Sequence, residues 1–396
     1  MKTPTLPPRR RVLKGFSLIE LMVATGVLAM MLVIVFQMLK GTQRAWRTTR
    51  QDVGEFREAR QSFEEMTRRV GQASLNSYYS YRYDNVTVRG VQLRMGREFI
   101  PQSELHFVSG PVEALGLQTK GNRQVGKRYT HALFFQAPFG FCVQEDPRND
   151  SRLHYEKMNG LLNSWGYFIE FNTDELDRPQ LFTALNNAPR PRPRYRLMEF
   201  RQPTEYLTIY KLNLREKKEA DQAELYAWFN KGLYSVNSEW NTTLDGREQK
   251  GFFRTTRVVA ENICGMILRP READEKLKGD ADELAPDYVY DSRRFQWDGS
   301  GRAATRSRHQ LPPVIDVTFI AVDEGSFNTL CQREGIKTAD DDPDLVGKDY
   351  FKTAKDFRKD LEKVELSLKE KKLEYRIFNT SIRIRESKWT DKAEEP

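Results

Sequence analysis

The stretch LKGFSLIELMVATGVLAMMLVIVF, residues 13–36, places one carboxylate, Glu20, at the entrance of a long apolar run. A helix over residues 16–39 would be about 36 Å long, enough to cross the ~30 Å hydrocarbon core of a bilayer with some tilt. A carboxylate at the centre of such a segment costs on the order of 2.5–3.5 kcal/mol, and less near an interface. Glu20 therefore either reaches the headgroups from the first turn or has a charged partner.

Five basic residues precede the apolar run: Lys2, Arg9, Arg10, Arg11 and Lys14. The net charge of the chain is +8, and without these five residues it is +3. The remaining balance does not favour nucleic-acid binding. A basic leader before an apolar run fits a cleaved secretory signal, a signal anchor or a pilin-type leader. The sequence QMLKGTQRAW after Phe36 has no A-x-A-like site, so loss of the apolar run is not predicted. The leader charges favour a cytoplasmic amino terminus, although Lys40 and three arginines follow the run.

The heptapeptide KGFSLIE, residues 14–20, lies directly before the apolar run. It resembles the class III leader of type IV pilins and type II secretion pseudopilins. The resemblance implies that a prepilin peptidase cuts after Gly15 and that the new amino-terminal residue, Phe16, is N-methylated. It also implies an assembly role for Glu20, whose carboxylate would neutralise the ammonium of Phe16 on a neighbouring subunit.

Beyond the membrane the apolar positions recur at three- and four-residue steps, which predicts an amphipathic helix to about Ala73: Val53, Phe56, Ala59, Phe63, Met66 and Val70. We expect four regions: a basic leader (1–15), a transmembrane helix (16–39), a stem helix (40–75) and a periplasmic α+β head (76–396).

Short β-type runs fill most of the head and start at six positions: Glu104, Thr130, Tyr167, Tyr195, Arg257 and Pro312. A second helix is predicted over about 349–373, followed by a last strand in YRIFNTSIRIRE. The predicted fold class is α+β, with a long amino-terminal helix packed on a mostly antiparallel β-sheet head and an additional carboxyl-terminal helix. The last two strands resemble those of J-type minor pseudopilins, W-type minor pilins and the pilin-like Verru_Chthon cassette proteins.

Four other motifs are predicted to be loop or core features. GNRQVGK, residues 121–127, has P-loop spacing, but Arg128 replaces the magnesium-binding Ser or Thr and a β-like run follows. NNAPRPRPRYR, residues 186–196, is predicted to be a solvated linker. The four histidines have no metal-ligand spacing. TADDDPD, residues 338–344, is predicted to be a solvated acidic loop, with four calcium-ligand candidates: Asp340, Asp341, Asp342 and Asp344.

The sequence has three cysteines that lie far apart: Cys142, Cys264 and Cys331. Three cysteines are compatible with one disulfide and one free thiol. The predicted function is that of a non-enzymatic minor pseudopilin, which joins related subunits in a type II secretion pseudopilus or a pilus-like fibre near its tip. No cofactor other than calcium is proposed, and the predicted partners are prepilin peptidase, other pilin-like subunits and the bacterial inner membrane. The alternative is an uncleaved single-pass membrane protein with a ligand-binding periplasmic head.

Overall fold

The computed structural model describes most of the chain from residue 18 to residue 388: 18–117, 126–142, 160–175, 178, 190–204, 207–209, 226–233, 238–244, 247–253, 255–272, 284–293 and 309–388. The chain divides into two units, Met1–Gly54 and Glu55–Pro396. Helix α1 (Leu18–Val70) contributes residues to both units. The first unit holds the apolar run, and the second holds the α+β head.

The described residues include thirteen strands: β1 (Tyr78–Val88), β2 (Val91–Gln102), β3 (Val108–Pro111), β4 (Lys127–Ala137), β5 (Asn163–Thr173), β6 (Pro193–Gln202), β7 (Ser238–Leu244), β8 (Arg247–Phe253), β9 (Thr256–Glu261), β10 (Ile263–Arg271), β11 (Tyr290–Asp291), β12 (Val314–Val322) and β13 (Tyr375–Arg383). After α1, the helices in the described part of the chain are α2 (Ala227–Leu233), α3 (Glu324–Glu334) and α4 (Phe357–Glu370), with a 3-10 turn at Ala354–Asp356.

All strand pairs among the described residues are antiparallel, which confirms the predicted α+β class. The largest sheet has the order β11-β3-β4-β5-β6-β9, and a second sheet has the order β10-β12-β13. Two hairpins, β1-β2 and β7-β8, form sheets of their own. Strand β5 is buried along nearly its whole length because side chains cover both faces of the large sheet.

The carboxyl-terminal part of α1 packs through one stripe of side chains, the stem stripe: Ala59, Phe63, Met66 and Val70. These four residues are buried, as their three- and four-residue spacing predicts. The Phe63 ring contacts Phe319 of β12 edge-on, with centroids 4.8 Å apart, and lies 6.0 Å from Phe378 of β13. One face of the large sheet shares a core with the stem stripe. The other face packs against α2, whose Phe229 stacks on Phe134 at 4.1 Å.

One buried carboxylate joins α1 to the large sheet. Glu199 of β6 accepts hydrogen bonds from Arg69 of α1 and from Arg257 of β9. It also accepts from the Trp165 indole at 2.8 Å and from the Tyr167 hydroxyl at 3.1 Å. The Arg69 guanidinium lies over the Trp165 ring at 4.7 Å. Because the Glu199 side chain is only 1 % exposed, these donors replace the water that the carboxylate loses on folding.

Two predicted element boundaries differ from those in the structure. The predicted strand from Arg257 is two strands, β9 and β10, because Asn262 between them has a φ of 63°. The last helix begins at Phe357 and not near residue 349, because the preceding segment folds into turns. There the Asp360 carboxylate accepts a hydrogen bond from the backbone N–H of Phe351.

Candidate functional site, the apolar amino-terminal segment

The first part of α1 exposes its apolar side chains instead of packing them into the protein. The large apolar residues from Leu18 to Leu39 have 45–79 % of their surface exposed. One helical segment in the described part of the chain, Leu21–Lys40, is long and apolar enough to cross a membrane. Removing such a surface from water is favourable by roughly 25 cal/mol per Å². The segment therefore needs a lipid or a protein environment.

The polar groups inside this segment are few. The Thr25 hydroxyl bonds back to the carbonyl oxygens of Leu21 and Met22, both at 3.0 Å. Its hydrogen-bonding capacity is therefore met within the helix, as an apolar surrounding requires. A Cβ built on Gly26 would have no neighbour within 4 Å, so this glycine leaves the helix surface open.

Glu20 lies in the first described turn of α1, two residues after Leu18. Its side chain lies outside the described part of the structure, and so do Gly15 and Phe16. The cleavage, methylation and pairing roles of these three residues stay predictions.

The GNRQVGK motif does not lead into a helix. Residues 121–125 lie outside the described residues, while Lys127 begins strand β4. The Lys127 ammonium donates to the backbone carbonyl of Asp340 at 3.2 Å. A P-loop requires a helix after its lysine, because the helix amino terminus binds the phosphates. This arrangement is that of a strand, as the β-like run after the motif predicted.

The acidic run at residues 338–344 uses three of its carboxylates to hold its own loop. Asp341 accepts from the backbone N–H groups of Lys337 and Thr338 at 3.0 and 2.9 Å. Asp344 accepts from the N–H of Gly347 at 3.2 Å, and Asp342 accepts from the N–H of Asp344 at 2.9 Å.

Asp342 is the residue that ties this loop to the large sheet. Its carboxylate accepts from the hydroxyls of Tyr129 and Tyr195, the latter at 2.6 Å. Burial, and then the nearby Asp342 carboxylate, raise the pKa of both tyrosines. Among the described residues, no group of three or more His, Cys, Asp or Glu side chains forms a metal site, so the calcium candidates, with the exposed Asp340, gain no support from geometry.

The Pro-Arg run at residues 186–196 was predicted to be a solvated linker, and this prediction is wrong at the carboxyl end of the run. Arg194 and Arg196 lie in strand β6 with 1 % and 3 % of their surface exposed. Arg194 pairs with Glu324 of α3 and lies 3.4 Å from Glu261 of β9, while Arg196 lies 3.5 Å from Glu261. Their partners are distant in sequence, so the local Pro-Arg pattern carried no signal of this burial.

Two histidines of the head, His106 and His309, hold parts of the fold together through hydrogen bonds. Nε2 of His106 lies 2.7 Å from Asp291 Oδ1, and the Trp228 indole donates to His106 Nδ1 at 3.0 Å. The Trp228 bond requires an unprotonated Nδ1, so His106 is neutral and donates through Nε2. Burial lowers the pKa of His106 despite the facing carboxylate. His309 accepts from the backbone N–H of Ser103 at 3.1 Å, and His154 lies outside the described residues.

His131 gives the head a dependence on pH. The backbone N–H of Leu268 donates to its Nδ1 at 3.0 Å, and burial lowers the pKa of His131 to about 4. Between pH 6.5 and 4 the unfolded chain binds a proton here that the folded chain does not bind, so stability falls as the pH falls through this window. We expect a loss of about 3 kcal/mol from this group by pH 4. Urea unfolding at several pH values, compared between wild type and His131→Gln, measures it; parallel curves would contradict the assignment.

The three cysteines form no disulfide. Cys264 and Cys331 are buried, and burial raises the pKa of the Cys264 thiol to about 12. The disulfide that the sequence allowed is therefore absent from this structure. The head relies on its core and not on cross-links.

The comparisons with known proteins concern the amino-terminal segment. Residues 10–36 match the family model described as the prokaryotic N-terminal methylation motif. No curated protein and no solved structure matches the chain significantly. This motif is typical of pilin-type structural proteins, and it implies processing by a prepilin peptidase and assembly with other pilins. Together with the exposed apolar helical segment that it overlaps, the match supports a membrane-anchored, type IV pilin-like protein.

Proposed function

We propose that this protein is a minor subunit of a type II secretion pseudopilus or of a type IV pilus-like fibre, and that it does not act as an enzyme. The observation that carries the proposal is the methylation motif at residues 10–36, which includes most of the apolar helical segment whose side chains are exposed. Subunits of such a fibre bury these surfaces against one another. The size of the unit that contains the head, Glu55–Pro396, favours a place at or near the tip, since a bulky head is difficult to repeat along a thin fibre.

The processing step in this proposal is hydrolysis of the peptide bond between Gly15 and Phe16. It leaves a carboxylate on Gly15 and an ammonium on Phe16. After this ammonium loses a proton, the amine takes one methyl group from a sulfonium methyl donor, which leaves as a thioether, and the methylated nitrogen carries the positive charge. The leader at residues 1–15 is cytoplasmic, residues 16–39 span the inner membrane, residues 40–75 form the stem and the head lies in the periplasm. The basic leader supports this orientation.

Glu20 has the role of a pairing group in the proposed fibre. An ammonium and a carboxylate are each costly in a membrane, and they cost less when one neutralises the other. If the two charges come from neighbouring subunits, the pair forms only in the assembled state. Glu20 then favours assembly and sets the axial offset between subunits.

The proposal is tested by the mass and the amino-terminal sequence of the full chain extracted from membranes. We expect a species that begins at Phe16 and carries one added methyl group when an active prepilin peptidase is present. An inactive peptidase, and Gly15→Leu with the active one, serve as controls that retain the leader. A chain that keeps residues 1–15 under every condition would instead support an uncleaved single-pass membrane protein with a ligand-binding head.

A further inference from the structure

Strands β1 and β2 form a hairpin that belongs to neither of the larger sheets, and we call residues 78–102 the hairpin arm. Its register runs from Tyr78 opposite Gln102 to Val88 opposite Val91. Arg89 and Gly90 make the turn with φ values of 52° and 80°, as a tight hairpin turn requires. An isolated two-stranded hairpin is marginally stable in water at best. A partner that covers the arm would therefore stabilise it.

The base of the arm is fixed to the head by hydrogen bonds. The Ser77 hydroxyl donates to the backbone carbonyl of His309 at 3.2 Å, and the Ser103 N–H donates to His309 Nδ1 at 3.1 Å. The Asn76 side-chain oxygen accepts from the Ser103 hydroxyl at 3.1 Å and from the Glu104 N–H at 3.2 Å. The arm is thus held at a defined place on the head.

Near its base the arm carries an aromatic patch on one face: Tyr79, Tyr81, Tyr83 and Phe99. The four side chains are 49–61 % exposed. Phe99 lies 5.3 Å from the Tyr79 ring and 5.1 Å from the Tyr81 ring, and the Arg94 guanidinium lies 4.7 Å over Tyr83. The rings contact one another and leave their outer surfaces free for a partner.

Near its turn the arm carries an aliphatic patch on the opposite face: Val86, Val88, Val91, Leu93 and Met95. These side chains are 42–58 % exposed. Val86 pairs with Leu93 and Val88 with Val91, so the patch crosses both strands. Alternate residues of a strand point to opposite faces, which places Val86 and Val88 across the arm from Tyr81 and Tyr83.

The size of these two patches fits a protein interface. At 150–250 Å² for a large aromatic side chain, the nine residues together expose roughly 900 Å². A standard interface buries about 800 Å² on each partner, so a partner that covers both faces of the arm would bury an area of that size. Because the patches lie on opposite faces, a flat surface such as a membrane would cover only one of them. A groove covers both.

The charge of the arm argues for a different protein as the occupant. Its sequence carries four basic side chains and two acidic ones: Arg82, Arg89, Arg94, Arg97, Asp84 and Glu98. A second copy of the arm would bring the same net positive charge, and like charges are unfavourable across an interface. A nucleic acid would stack on the aromatic patch but would leave the aliphatic patch exposed.

We propose that the hairpin arm docks into an apolar groove, bordered by carboxylates, on a different protein subunit. The inference rests on the proposed function in one respect, because neighbouring subunits of the fibre supply such a surface. The two patches enter the groove, and arginines such as Arg94 face the carboxylates at its border. The arm thereby fixes which subunit stands next to this one.

Photo-crosslinking of the full chain in cells of its native host tests the proposal. The substitutions Tyr81→p-benzoylphenylalanine and Leu93→p-benzoylphenylalanine probe the two patches, and the same probe at Lys359, on the exposed side of α4, is the control. We expect both arm probes to join one and the same protein, different from this chain, that has its own amino-terminal methylation motif. The joined segment should be apolar with flanking Asp or Glu. Arg94→Glu should lower the yield at least tenfold, and Lys359→Glu should not.

Four outcomes would overturn the proposal: a crosslink to a second copy of this chain, to nucleic acid or to lipid, or no crosslink from either patch. The amino-terminal mass of the same samples separates this result from the proposed function. A chain that keeps its leader, yet forms the heterologous crosslink through both patches, would refute the fibre subunit and retain the docking arm.

Discussion

Replacing Glu20 with valine is expected to leave cleavage at Gly15 intact and to lower incorporation into a fibre by roughly 100-fold. The valine removes the carboxylate that neutralises the Phe16 ammonium of a neighbouring subunit. An unpaired charge in a membrane segment costs on the order of 2.5–3.5 kcal/mol, which corresponds to about a 100-fold change in an equilibrium constant. The measurement is the ratio of processed subunit in sheared fibres to processed subunit left in the membrane.

Thr25→Val is the matched control for this experiment. Thr25 lies in the same apolar segment, and its hydroxyl bonds only to the backbone of its own helix, so the change alters no charge and removes no partner. We expect this variant to assemble as the wild type does. If Glu20→Val assembles equally well, Glu20 is an acid that reaches the headgroups, and the pairing role is wrong.

The second large effect is expected in the head, where Glu199→Ala should lower the free energy of unfolding by about 3–5 kcal/mol. The change leaves Arg69 and Arg257 without their shared carboxylate and removes the acceptor of the Trp165 indole. Denaturant unfolding of the full chain in detergent, followed by tryptophan fluorescence, measures the loss.

The ion pair of Arg60 and Glu64 provides the control for that measurement. Both side chains are more than 60 % exposed and lie on the same helix as Arg69, so Arg60→Ala should cost less than about 1 kcal/mol. In a double-mutant cycle, Arg69→Ala should cost much less once Glu199 is already alanine. Additive losses would mean that the two residues do not stabilise the head as a unit.

The sequence predicted the fold class, the stem stripe and most of the strands of the large sheet because each depends on a local pattern. Three- and four-residue steps marked Phe63 and Met66 as buried. Runs rich in β-branched and aromatic residues marked strands such as β5 and β12. Such periodicities follow from how helices and strands present side chains to a core.

The features that were missed depend on more than local periodicity. Helix α3 is only 11 residues long, and its signals were the Asp323 cap and Gly335 after its end, where φ is 72°. None of the side chains whose burial is described in the hairpin arm is buried, so its exposed aromatics gave no amphipathic pattern, and its turn is Arg-Gly instead of the more common Asn-Gly. Arg194 is buried because Glu324 approaches it from a distant part of the chain.

The amino-terminal segment shows the opposite case, in which a short sequence predicted more than the structure describes. The match at residues 10–36 supports the predicted motif, while Gly15, Phe16 and the Glu20 side chain lie outside the described residues. A leader is read by a peptidase as a linear sequence, and a charge pair between subunits requires a second chain. Neither property depends on the fold of one chain by itself.

The residues that pack over the stem stripe lie far from it in sequence, and this affects how the head folds. Phe63 packs on Phe319 of β12 and near Phe378 of β13, and the N–H of Arg385 donates to the carbonyl of Gly71 at 3.1 Å. These contacts join residues about 250–320 positions apart, so the head has a high contact order, which slows folding. During synthesis the stem stripe leaves the ribosome before strands β12 and β13, and it stays uncovered until they are made. The nascent chain is therefore open to aggregation in this interval, and the last strand closes it.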